Sequence, residues 1–194
     1  MRKFRKIITM VIIMVVFLSF TTATNAYSRL GTGKISGGAS GILYYIDSSA
    51  SEYSDSISNG IQYWNGLTSE VSIYRTTTKA YSRCDNYWGN YFPNDYSTIA
   101  QTFHILNNQV ICPNHDDNWY WTQIKYNSNV FKYEDGQGGG LSYFNRKGTA
   151  CHEYGHVLGL AHTTNTSTVM CQLGNGRTVN SPQTDDINGV NAIY

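Results

Sequence analysis

The spacing of apolar and polar positions predicts a mixture of strands and helices over most of the chain. Gly41–Asp47 reads Gly-Ile-Leu-Tyr-Tyr-Ile-Asp, an apolar, β-favouring run that predicts a buried strand. Ser51–Asn65 carries Ile57, Ile61 and Trp64 at helical spacing ahead of Gly66, and predicts an amphipathic helix stopped by the glycine. Val71–Tyr74 predicts the next strand, and the order β, α, β suggests an α/β layer arrangement. From Tyr81 to Tyr120 the chain is dense in Asn, Asp, Tyr and Trp. Within it, Thr98–Ile105 and Gln109–Cys112 read as strands around an Asn107-Asn108 turn, and Thr122–Tyr126 reads as another strand. Glu134–Gly140 reads as a flexible glycine-rich turn. Ala150, Tyr154, Val157 and Leu158 return to helical spacing. A last helix is predicted from Ser181 as N-cap and Pro182 as first residue, with Ile187, Val190 and Tyr194 on its apolar face. Tyr27–Ser40, rich in Gly and Ser, reads as a loose, flexible N-terminal lead.

Charge changes this picture at one end. The formal net charge is +1, yet Arg2, Lys3, Arg5 and Lys6 cluster ahead of a mostly apolar stretch, Ile7–Phe20, and a small-residue ending, Thr24-Asn25-Ala26. This is the layout of a secretory signal peptide over residues 1–26. An uncleaved anchor is the alternative, but the apolar stretch falls short of the roughly 20 residues that span a bilayer. Cleavage after Ala26 leaves 10 basic and 13 acidic residues, a net charge of −3 over 168 residues. A mildly acidic body without a basic run excludes a generic nucleic-acid binder. A secreted, extracellular protein is expected, with no stable membrane association after cleavage. Four cysteines in an exported chain, Cys84, Cys112, Cys151 and Cys171, read as two disulfides. Of the three pairings, the sequence-local one, Cys84–Cys112 with Cys151–Cys171, is favoured.

The chemistry concentrates in residues 152–162, His-Glu-Tyr-Gly-His-Val-Leu-Gly-Leu-Ala-His. On a helix His152 and His156 lie at i and i+4 on one face, placed to ligate one zinc ion through imidazole nitrogens. Glu153, beside the first ligand, is placed to take a proton from a metal-bound water. A catalytic zinc keeps three protein ligands and an open position. Gly159 can end the helix in a left-handed conformation and bring His162 back as the third ligand. Asp185 or Asp186 is the weaker alternative. Chance gives the full pattern in roughly one chain in a hundred thousand of this length, so an incidental origin is set aside.

His-Glu-x-x-His-x-x-Gly-x-x-His over 152–162 resembles the signature of the metzincin zinc endopeptidases. Ser167-Thr168-Val169-Met170 is similar to their methionine turn, with Met170 as its methionine. Thr163 after the third ligand, and the closing segment 181–194, resemble the matrixin family most. The resemblance implies a zincin fold over residues 41–194: an α+β or α/β domain with a small twisted mixed sheet, an active-site helix and a C-terminal helix. It implies a monomeric endopeptidase with one catalytic zinc, acting on protein or peptide substrates that lie along an edge strand. Residues from Gln172 to Ser181 would wall the pocket for the residue following the scissile bond. A cysteine-switch prosegment is not recognisable, and His104 and His115 are too few to carry over a structural zinc. Calcium sites of the family are unmapped here; Asp116, Asp117 and Asp135 read better as solvated loop residues. The rival reading is a catalytically silent binding or adhesion module of the same shape.

Overall fold

The computed structural model describes residues 27–111, 116–137 and 139–194. The predicted signal segment, Cys112 and His115 lie outside the described residues. In chain order the elements are β1 (Ser28–Arg29), β2 (Ile42–Ile46), α1 (Ser54–Gln62), β3 (Ile73–Arg75), β4 (Cys84–Gly89), β5 (Ala100–Leu106), β6 (Gln109–Ile111), β7 (Trp121–Asn127), α2 (Tyr143–Val157), β8 (Leu160–Ala161) and α3 (Thr184–Ile193). No helix among the described residues is long and apolar enough to cross a membrane.

Six strands form one mixed sheet in the order β3-β2-β4-β7-β5-β6. β3, β2, β4 and β7 run parallel, whereas β5 is antiparallel to β7 and β6 is antiparallel to β5. The register aligns Tyr44, Cys84, Thr122 and His104 in one row, and Ile46, Asn86, Ile124 and Thr102 in the next. These rows face α2, because Thr102 and His104 both hydrogen-bond to it. Phe103, Tyr45, Gln123 and Lys125 alternate onto the opposite, half-buried face. One face covered by helices and one left open is the α+β arrangement.

Apolar spacing explains how α1 sits. Ile57, Ile61 and Trp64 are buried as one stripe, and the Trp64 indole N–H donates to the Cys151 carbonyl at 2.9 Å. The predicted helix 51–65 is shorter than expected: Asp47 accepts from Ser49 N–H and starts a 3₁₀ turn over Ser48–Tyr53 instead. α1 crosses α2 at Gly60, where a Cβ would collide with the Lys147 carbonyl oxygen and lie 2.8 Å from the Ala150 Cβ.

The structure departs from the sequence reading in four further places. The 27–40 segment is a packed strap rather than a loose lead: β1 pairs with β8, Ile35 bridges to Trp119, and both of these side chains are fully buried. β4, unforeseen in a polar stretch, lies in the middle of the sheet. Its Asn86 is satisfied there, donating to Tyr45 O and accepting from the Tyr126 hydroxyl. α3 begins after Gln183, not Ser181, because the Asp186 carboxylate accepts the Gln183 N–H at 2.8 Å and closes the first turn there.

The disulfide expectation is the fourth. Cys84, Cys151 and Cys171 are free, buried thiols. Cys84 sits mid-sheet against the Thr122 hydroxyl, and burial pushes its thiol up to about 12. Cys151 packs toward Trp64, while the Cys171 sulfur turns to the Gln172 and Asn175 carbonyls at 3.6 and 3.9 Å. No disulfide joins Cys151 to Cys171.

The close helix crossing generates a prediction. Gly60→Ala forces α1 from α2 and should lower unfolding stability by about 1–3 kcal/mol, read as a lower urea midpoint with an unchanged slope.

Candidate metal centre

α2 starts at Ser142, whose hydroxyl accepts from Asn145 N–H at 3.2 Å. From Gly148 to Val157 every residue is buried, so the motif histidines project from a helix held on all sides. The helix ends at Leu158, and Gly159 follows at φ 96°, in the left-handed region. Its N–H returns to His156 O at 2.9 Å, and its carbonyl accepts from Leu30 N–H in the N-terminal strap at 3.0 Å. β8 then pairs with β1 and delivers His162.

The three histidines meet at Nε2. His162 Nε2 lies 3.1 Å from both His152 Nε2 and His156 Nε2. The opposite ring nitrogens are held by backbone: His152 Nδ1 donates to Val169 O and His156 Nδ1 to Leu160 O, each at 2.7 Å. Protonated Nδ1 leaves Nε2 as a free lone pair. Burial also holds the imidazoles neutral, His156 and His162 down to about 4 and His152 well below its usual value. Nitrogens of a tetrahedral site at 2.0–2.1 Å from an ion are about 3.3 Å apart, so the donor set and spacing suit such an ion. Among the described residues this is the sole cluster of three or more such groups. Asp185 and Asp186 stand outside it, which leaves His162 as the third member.

Glu153 is buried beside this cluster. Its Oε2 accepts from the Thr102 hydroxyl at 2.7 Å, and burial raises its carboxyl to about 7, with Thr102 opposing. His104 Nε2 donates to His156 O at 2.9 Å. Thr102 and His104 thus bolt β5 onto α2. β6 pairs only with His104–Leu106, so the first half of β5 is an open edge. Ile99 O and Ile105 O bond toward β7; by alternation, Ala100 and Thr102 direct their backbone groups outward. A cleft of 770 Å³ runs between this edge and the Gln172–Arg177 segment, with His152, Glu153, His156 and His162 in its lining.

Met170 lies under the cluster, buried against Gly155, where a Cβ would collide with its sulfur. The turn carrying it is held by a residue that sequence reading weighed only as a metal ligand. Asp186, reaching back from α3, accepts Val169 N–H at 2.9 Å and Met170 N–H at 3.2 Å. An acid in the first turn of the closing helix was the available signal, but it does not identify a partner sixteen residues away. Thr102, in the cleft, gave no sequence signal, and Arg177 entered only as part of the Gln172–Ser181 wall that the resemblance implies. The candidate calcium ligands do other work: Asp116 accepts from the Thr32 N–H and hydroxyl, and Asp135 closes its own glycine turn.

The peptidase M10 matrixin model matches residues 70–194, and the chain belongs to the matrixin family. A chain of the GM1-bound form of the ECX AB5 holotoxin has a similar fold, with a TM-score of 0.52 at 13% identity, over 87% of this chain and 88% of that one. At that identity the likeness is one of fold alone. No curated protein matches the chain.

Gly159→Ala tests the turn that delivers His162. A side chain at this left-handed position should cost about 1–2 kcal/mol, seen as a lower Tm, with the histidine resonances of His162 displaced in the folded protein.

Proposed function

We propose that this chain is an exported zinc endopeptidase of metzincin shape. Residues 1–26 direct export and are removed, and the remaining domain works as an extracellular monomer. The observation that carries the reading is the convergence of three neutral Nε2 atoms beside a buried carboxylate, at the floor of a cleft bordered by an open strand edge. His152, His156 and His162 hold the ion, and Glu153 is the general base. Bound zinc supplies Lewis acidity toward the scissile carbonyl and acidifies a water.

The chain's own residues do the rest. An extended peptide adds to the Ala100–Thr102 edge by backbone hydrogen bonds, which sets the scissile bond over the histidines. Thr102 holds Oε2 of Glu153, so the carboxylate has one oxygen fixed and one free to accept the water's proton. Glu153 then returns that proton to the departing amine. Its burial favours a base that is easily protonated and deprotonated near neutral pH. Met170 and Asp186 keep the floor in place without touching substrate.

The purified mature form should contain one zinc per chain and cleave an unfolded protein, and a chelator should abolish cleavage. Glu153→Ala should keep the zinc and lose about 10²- to 10⁴-fold in kcat. Zinc-loaded wild type that cleaves no protein or peptide library would make the chain a binding module. Near-normal activity of Glu153→Ala would overturn the role given to Glu153.

A further inference from the structure

Glu153 draws its hydrogen-bond support from one residue. The donors its carboxylate meets among the described residues both belong to Thr102: the hydroxyl, 2.7 Å from Oε2, and more weakly the backbone N–H. The same hydroxyl oxygen lies 3.0 Å from the Glu153 carbonyl oxygen. A hydroxyl has one hydrogen to give. It therefore serves either the carboxylate or the helix backbone, and a small displacement of Thr102 decides which.

Thr102 also lies on a weakly supported stretch of the sheet. β7 pairs with it on one side, through Ile124, and β6 reaches only His104–Leu106 on the other. His104 has its own bond to α2, at His156 O, whereas over Ala100–Thr102 the tie to that helix is the hydroxyl on Glu153. A strand paired on one side opens locally at lower cost than one paired on both. By strand alternation the carbonyls of Ala100 and Thr102 face the cleft, which both residues line. An extended peptide can donate to them there. A second ladder on this side holds Thr102 from both edges, and with it the hydroxyl that fixes Oε2. Holding a reacting group in place raises the rate itself, since a misplacement of about 1 Å can cost about a hundredfold.

Resting on the peptidase reading of the cleft, we propose that Thr102 is a positioning residue that couples the substrate to the general base. Backbone pairing of an extended peptide at Ala100–Thr102 locks the Thr102 hydroxyl onto Glu153, so long, extended peptides are selected through turnover as well as through binding.

The test uses two peptides blocked at both ends and cut at the same bond, one extending about four residues to each side of it and one extending a single residue. Wild type should turn over the long peptide with a kcat about tenfold to a hundredfold above the short one. Thr102→Val, isosteric but without the hydroxyl, should bring that kcat ratio toward one by slowing the long peptide, and Thr102→Ser should keep most of it. If Thr102→Val does not fold, Thr102→Ala takes its place. A wild-type kcat that does not depend on length overturns the proposal. So does a valine variant slowed equally on both peptides, or a serine variant that behaves like valine. Should wild type cleave neither peptide, the peptidase reading falls and calorimetry decides, with the same peptides carrying a reduced scissile amide. Coupling in binding is reciprocal, so a long-to-short affinity ratio about fivefold or more lower in Thr102→Val than in wild type supports the coupling, and an unchanged ratio overturns it.

Discussion

Two backbone carbonyls, those of Leu160 and Val169, each take a ring N–H from a histidine and aim its other nitrogen at a common point. Everything around the cluster serves to hold these two oxygens still. Leu160 lies just past the left-handed Gly159, where β8 pairs with the N-terminal strap. Val169 lies in the Met170 turn, whose N–H groups are gathered by Asp186 from the closing helix. Supports more than a hundred residues apart in sequence thereby fix the tautomers of two imidazoles. The low dielectric that keeps the rings neutral also preserves their lone pairs.

The same pair of supports shapes the cleft. Val169 O is shared between His152 and Arg177, so the turn that orients a histidine also positions the cation in the opposite wall. On the other side, Thr102 and His104 fasten β5 to α2 and set its free edge over the histidines. Because β6 pairs only with His104–Leu106, the first half of that edge remains open along the cleft.

What was legible in the sequence was chemistry with short-range spacing. His152 and His156 follow from helical periodicity, and His162 from a glycine that must turn the chain. Their convergence in the structure agrees with that reading, as does the burial of Ile57, Ile61 and Trp64. Less legible was anything depending on distant partners. β4 hides in polar residues because Asn86 finds its partners on β2 and β7. The strap looked loose because Ile35 is buried against Trp119, a partner far away in sequence. Cysteine counting reads compartment, and could not show that Cys84, Cys151 and Cys171 stay free, buried thiols. Asp186 and Arg177 are single charges whose meaning arises only where they are buried.

The central claim is that three Nε2 atoms share one ion. Zinc K-edge absorption on the purified wild-type protein, alongside His162→Ala, tests it directly. The account predicts a first shell of about three imidazole nitrogens at 2.0–2.1 Å with one further light atom, and loss of one imidazole from that shell in His162→Ala. Sulfur in the first shell, or a wild-type protein that retains no zinc through purification, would contradict it.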